Sequence, residues 1–246
     1  MLFLHGFLGM AEDWQPVIEK MSDDFYCLAV DLPGHGETVT HGALDDYTMT
    51  SVAVTIYAFL NQLNVRNISL VGYSMGGRLA LYLAVSYPAK WRRVVLESVS
   101  PGLHTEKERQ QRLQKDIKLA KKMESTNFDQ FLREWYQQPL FQSILKHKDF
   151  HKLLIRRLEN QPEKVALALQ GMSLGNQPSF WAPARNLDIP LLLIAGEYDR
   201  KFRNILGEFD QYCAHSQYLV IKQAGHNTHF EQPLAFYRQI DKFLRR

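Results

Sequence analysis

Short apolar runs closed by glycine or a polar turn residue alternate along this chain with longer stretches whose apolar positions recur every three or four residues. The runs at 2–4, 26–30, 68–71 and 94–96 read as buried strands. The stretch 13–21 places Trp14, Val17, Ile18 and Met21 on one helical face, and 48–63 does the same with Val52, Ile56, Phe59, Leu60 and Leu63. After Gly102 the rhythm changes. No strand-like run appears between 103 and 180, where 107–123, 128–136, 150–160 and 165–172 carry the helical period. Strands resume at 189–194 and 218–221, and 234–244 reads as a closing helix. Strands alternating with helices predict an α/β fold with a mostly parallel sheet covered on both faces. The core is expected over 1–102 and 181–246, with 103–180 inserted as an all-helical cap. Right-handed crossovers then gather the ligand-binding loops at the C-terminal edge of the sheet.

Composition narrows the function classes. A length of 246 residues suits one large domain, and 46% hydrophobic with 22% charged residues is ordinary for a soluble protein. A net charge of +3 is too balanced to argue for nucleic acid. The surplus is local, however: 103–180 holds 14 Lys or Arg against 9 Asp or Glu. A cationic cap over a catalytic edge favours an anionic substrate. Cys27 and Cys213 read as buried free thiols, and no zinc-like spacing, membrane-length apolar run or signal peptide is seen. The expectation is a cytoplasmic enzyme, monomeric or weakly self-associating, without metal, cofactor, nucleic-acid or membrane partner.

The chemistry concentrates at Gly72-Tyr73-Ser74-Met75-Gly76-Gly77-Arg78, which follows the apolar run 68–71 and opens a helical stretch at 78–84. A strand, a tight turn with small residues and a helix hold a serine hydroxyl above the sheet, at the positive end of the helix. Serine needs an imidazole to take its proton, and the imidazole needs a carboxylate to fix its tautomer. Both follow in the order acid then histidine: Asp199 after the strand at 189–194, and His226 behind Gly225 after the strand at 218–221. Glu197 and His229 are the rival acid and base, while His5, His35 and His41 read as structural. The backbone N–H groups of Met75 and Phe7, the latter in His5-Gly6-Phe7-Leu8-Gly9, are candidate oxyanion donors. Arg78 lies one helical turn beyond Ser74. Its guanidinium calls either for a buried pair with a residue such as Glu97 or for a substrate carboxylate.

With these blocks the chain resembles the α/β-hydrolase superfamily over nearly its whole length. Within it, the resemblance is to the 2-succinyl-6-hydroxy-2,4-cyclohexadiene-1-carboxylate synthase family of menaquinone biosynthesis. The elbow ending in Gly-Gly-Arg and the block Trp135-Tyr136-Gln137-Gln138-Pro139 carry it most specifically, with Asp31-Leu32-Pro33-Gly34-His35-Gly36, Ser100-Pro101-Gly102-Leu103 and Gly225-His226-Asn227-Thr228-His229-Phe230-Glu231 in support. The resemblance implies the α/β-hydrolase fold and a lyase that expels pyruvate from a small polycarboxylate. Ser74, Asp199 and His226 would move the proton, and Phe7 and Met75 would hold the developing charge. Arg78, Arg112 and Arg156 would bind carboxylates, with Arg109 and Arg157 as close rivals of the two cap arginines. Tyr73 and Trp135 would line the pocket, and no cofactor is implied. The family carries one or two edge strands ahead of its first His-Gly block, whereas His5 stands close to Met1 here. That bears on the sheet edge and not on the chemistry. A carboxylesterase or C–C bond hydrolase would use the same triad but would not require Arg78. A non-catalytic hydrolase-fold receptor would not require the triad.

Overall fold

The computed structural model describes residues 1–246. Six strands, β1 (Leu2–Leu4), β2 (Leu28–Val30), β3 (Ile68–Tyr73), β4 (Trp91–Glu97), β5 (Leu191–Gly196) and β6 (Ser216–Ile221), form one sheet in the order β2-β1-β3-β4-β5-β6. Every neighbouring pair is parallel. β1 is only three residues long, so β2 pairs only as Leu2 with Leu28 through Leu4 with Val30, and residues 26 and 27 stay outside the strand. The helices are α1 (Gln15–Met21), α2 (Met49–Gln62), α3 (Ser74–Ser86), α4 (Glu106–Ser125), α5 (Phe128–Tyr136), α6 (Gln142–Leu145), α7 (Phe150–Leu158), α8 (Pro162–Gly171), α9 (Arg200–Asp210), α10 (Thr228–Glu231) and α11 (Pro233–Leu244).

Side chains alternate across the pleat, and the alternation builds two apolar layers. Leu2, Leu4, Leu70, Val94, Leu96, Leu191 and Leu193 pack with Val52 and Ile56 of α2, Leu79 and Leu83 of α3, and Leu206 and Phe209 of α9. Phe3, Val71, Val95, Leu192 and Ile194 face the other way, onto Val17 and Met21 of α1 and Phe236 and Ile240 of α11. Between β4 and β5 the chain runs through α4 to α8 without a strand. These helices have their own apolar centre, including Phe131, Leu132, Leu153 and Leu169, which Leu8 of the β1–α1 loop enters from below. A capping box starts α4: the Thr105 hydroxyl accepts from the Glu108 N–H, and the Glu108 carboxylate accepts from the Thr105 N–H.

The chain leaves β1 toward β2 and then returns to the opposite side for β3 through β6. The loops after β1 and β3 therefore diverge, opening a crevice at the C-terminal ends of those two strands. No helix is long and apolar enough to cross a membrane. Both cysteines are free, and burial, with Asp210 alongside, pushes the Cys213 thiol up to about 12.

Candidate active site

β3 delivers the chain into the elbow at Tyr73, and Ser74 takes a left-handed backbone with φ of +50°. A non-glycine residue holds that conformation only when its surroundings fix it. The fixing is close packing: a Cβ at Gly72 would lie 2.6 Å from the Gly76 carbonyl oxygen, and one at Gly76 would lie 2.3 Å from that of His5. The turn thus needs those glycines, and it lifts the Ser74 hydroxyl to the sheet edge.

His226 Nε2 lies 3.2 Å from Ser74 Oγ, and its Nδ1 lies 2.6 Å from Asp199 Oδ2. The short contact assigns the imidazole proton to Nδ1, which leaves Nε2 to accept from the serine hydroxyl. Asp199 is the N-cap of α9, its second oxygen accepting from the Phe202 N–H at 3.1 Å. The Ser98 hydroxyl, at the end of β4, donates to the His226 carbonyl at 2.8 Å. The acid, the base and their supports all come from strand ends on one rim.

Neither rival joins this chain of bonds. The Glu197 carboxylate accepts from the Gln223 N–H at 2.9 Å. His229 is buried, stacked on Trp14 at 4.0 Å between ring centroids, with Nδ1 2.6 Å from Glu97. Glu97 has no accessible surface and also accepts from Thr228 Oγ1 at 2.7 Å and the His229 N–H at 3.0 Å. It is committed to the His226–His229 loop and is not the partner of Arg78.

Ser74 and His226 open into a cavity of about 140 Å³. Phe7, Trp135, Leu140, Phe141 and Ile144 supply an apolar wall, with the Trp135 ring 5.3 Å from that of Phe7. Tyr73 and Met75 also line it. Burial, with Glu97 nearby, pushes the Tyr73 phenol well above its ordinary range, so it stays protonated. The Phe7 N–H donates to no protein acceptor, and the Met75 N–H lies in the first turn of α3, beyond reach of an intrahelical carbonyl.

Four basic side chains line the cavity: Arg78, Arg112, Arg157 and Lys201. Arg78 donates to the Met172 carbonyl at 2.7 Å and to Gln177 Oε1 at 3.0 Å, both neutral acceptors. Burial, with Arg112 nearby, pulls its pKa down to about 9, and Asp116 offsets only part of this. Arg112 is paired with Asp116 at 2.9 Å, and Asp116 also accepts from the Ser173 hydroxyl at 2.7 Å. Arg157 meets both Asp13 oxygens, at 3.0 and 2.7 Å, and the Tyr136 hydroxyl at 3.2 Å.

Arg156 departs from the expectation. It reaches away to Asp13 at 3.1 Å and Glu12 at 3.8 Å and does not line the cavity, where its neighbour Arg157 stands instead. Adjacent helical residues point about 100° apart, so only packing decides which of the two faces inward. Arg109 pairs with Glu106 at 2.7 Å, also off the cavity. Lys201 was not anticipated; the signal available was its place two residues after the acid, on the first turn of α9.

The family model of the alpha/beta hydrolase fold matches residues 1–233. The chain belongs to that family: it has a parallel sheet, a serine elbow after β3, and an acid and a histidine after later strands. A 2-succinyl-6-hydroxy-2,4-cyclohexadiene-1-carboxylate synthase of Serratia proteamaculans (strain 568) is 34% identical over 99% of this chain and 92% of its own length. A Bacillus subtilis (strain 168) protein provisionally carrying the same name is 37% identical over 98% of this chain and 88% of its own. The solved structure of MenH from S. aureus superposes with a TM-score of 0.93 at 33% identity, covering 99% of this chain and 92% of that one. Within the hydrolase fold, the chain belongs to this synthase family.

Proposed function

We infer that this chain is a carbon–oxygen lyase of menaquinone biosynthesis. It eliminates pyruvate from 2-succinyl-5-enolpyruvyl-6-hydroxy-3-cyclohexene-1-carboxylate to give 2-succinyl-6-hydroxy-2,4-cyclohexadiene-1-carboxylate. The names of substrate and product define the bond changes. The proton on ring carbon 2, next to the succinyl carbonyl, leaves. Its electron pair forms the 2,3 double bond, the 3,4 double bond moves to 4,5, and the bond from carbon 5 to oxygen breaks. Enolpyruvate departs and tautomerises to pyruvate, and no water is added.

In this reading Ser74 takes the ring proton as its own hydroxyl proton passes to His226 Nε2, 3.2 Å away. Asp199 holds the imidazole in the required tautomer and stabilises the imidazolium. Charge that develops on the succinyl oxygen as an enolate is met by the Phe7 and Met75 N–H groups. The cations lining the cavity, Arg78 foremost, hold the carboxylates, and the apolar wall of Phe7, Trp135 and Phe141 keeps water from competing. Every residue invoked comes from a single chain.

The observation that carries the substrate class is Arg78. It is a half-buried guanidinium lining the cavity and hydrogen-bonded only to neutral acceptors, a costly arrangement that a bound carboxylate relieves. A neutral ester offers no such compensation. The test compares pyruvate release from the cyclohexene substrate with hydrolysis of p-nitrophenyl acetate. Pyruvate release far exceeding ester turnover is expected; rapid ester hydrolysis without pyruvate release would overturn the assignment.

A further inference from the structure

Leu8 stands one residue beyond the proposed donor Phe7 and has φ of +66°, a conformation leucine adopts only under constraint. Side chains from two distant segments hold both of its backbone polar groups. Its N–H donates to His35 Nε2 at 3.1 Å, and its carbonyl accepts from Asn160 Nδ2 at 3.0 Å. Asn160, in the turn just after α7, is 4% exposed, and its Oδ1 accepts from the Gly36 N–H at 2.9 Å. One side chain therefore ties the β1–α1 loop, the loop after β2 and the helical segment together.

His35 is built to accept. It is 1% exposed, and its Nδ1 faces the Pro33 carbonyl at 3.3 Å, so Nδ1 carries the proton and Nε2 is left free. Burial, with His5 nearby, holds the imidazole well below the usual histidine range and so neutral. His5 makes the reciprocal tie, from the end of β1 to the loop after β2: Nε2 accepts from the Leu32 N–H at 2.9 Å while Nδ1–H donates to the Gly6 carbonyl at 2.8 Å.

We propose that Asn160 and His35 are positioning residues which lock Leu8 in its left-handed conformation and thereby aim the Phe7 N–H at the reacting oxygen, so that the α7–α8 turn completes the oxyanion hole. This rests on the reading of the Phe7 N–H as a donor in the elimination. A peptide N–H turned by a few tens of degrees no longer points at the oxyanion, which is why so many bonds converge on one residue. The helical segment then has a second use besides covering the cavity: it sets the backbone of the core.

Asn160→Asp is the sharpest variant. It keeps an acceptor for the Gly36 N–H and replaces the donor to Leu8 with a carboxylate oxygen. The expected result is kcat for pyruvate release lowered about 10- to 100-fold, KM within about threefold of wild type, and a shifted Phe7 amide resonance against unshifted β3 and β4 amides. An unmoved Phe7 amide overturns the proposal, whatever happens to kcat. A shifted amide with wild-type kcat supports the positioning role and overturns instead the use of the Phe7 N–H in catalysis. Where Asn160→Asp does not fold, His35 gives the same test. His35→Gln, which still offers an acceptor to Leu8, should keep most of kcat, and His35→Leu should lose it; equal rates in the two overturn the proposal.

Discussion

Two buried histidine–carboxylate pairs sit three residues apart on one loop and differ in everything except their short bond. His226 meets Asp199 at 2.6 Å, and His229 meets Glu97 at 2.6 Å. The second nitrogen of His226 reaches Ser74 in a cavity. His229 lies against Trp14 on one face, with the Tyr73 ring centroid 5.0 Å from its own, and its Glu97 already accepts from Thr228. The lesson is that the histidine–carboxylate pair does not make the site. A free nitrogen, a serine hydroxyl beside it and open space do, and the same pair without them fastens a loop.

Substitutions should separate the two pairs. His226→Ala is expected to lower kcat for pyruvate release by about 10³-fold or more with little change in Tm. His229→Ala should do the reverse. It leaves the buried Glu97 carboxylate without its imidazole Nδ1 partner, a loss of about 3 to 5 kcal/mol, or roughly 10 °C in Tm, with a smaller effect on rate. Pyruvate assays and thermal melts on both proteins decide the matter, and a larger rate loss in the His229 variant would break the distinction.

The arginines repeat the contrast inside the cavity. Arg78 has neutral partners and Arg157 has Asp13. Arg78→Ala is expected to cost about 1.5 to 3 kcal/mol of transition-state binding, some 10- to 100-fold in kcat/KM, with stability retained. Normal turnover of the carboxylated substrate by that variant would remove the anion-binding role.

The smallest effect is one of pH. Burial alone would raise the Asp13 carboxyl, but Arg157 and, behind it, Arg156 hold it below the usual carboxylate value of 3.8. A lowered carboxyl favours the folded state above the unfolded value, and that contribution is lost as pH falls through the folded one. Tm should therefore drop on acidification below about pH 4, and Asp13→Asn should flatten that drop. Parallel slopes in wild type and variant would show that the pair contributes nothing.

Much of this was legible in the chain because the sheet writes a strong pattern. The apolar runs and the strand–elbow–helix block marked β3 and Ser74, and glycine before His226 marked the base over its neighbour His229. What escaped depended on packing. The helix α9 begins on two charged residues and contains Gly207, so its apolar positions Leu206 and Phe209 did not stand out, although Asp199 is an N-cap signal as well as an acid. Lys201 was lost with it. The choice between Arg156 and Arg157 turned on how α7 packs, since both reach Asp13, more than 140 positions away, and only Arg157 also meets the Tyr136 hydroxyl at the cavity; Glu97 showed its commitment to Thr228 and His229 only once β4 and α10 were adjacent. Asn160 carried no motif at all.

The most direct test follows the proton itself. Substrate carrying deuterium at ring carbon 2 should release pyruvate more slowly than unlabelled substrate in a single turnover of the wild-type enzyme. Equal rates for the two would contradict removal of that proton in the step that expels enolpyruvate.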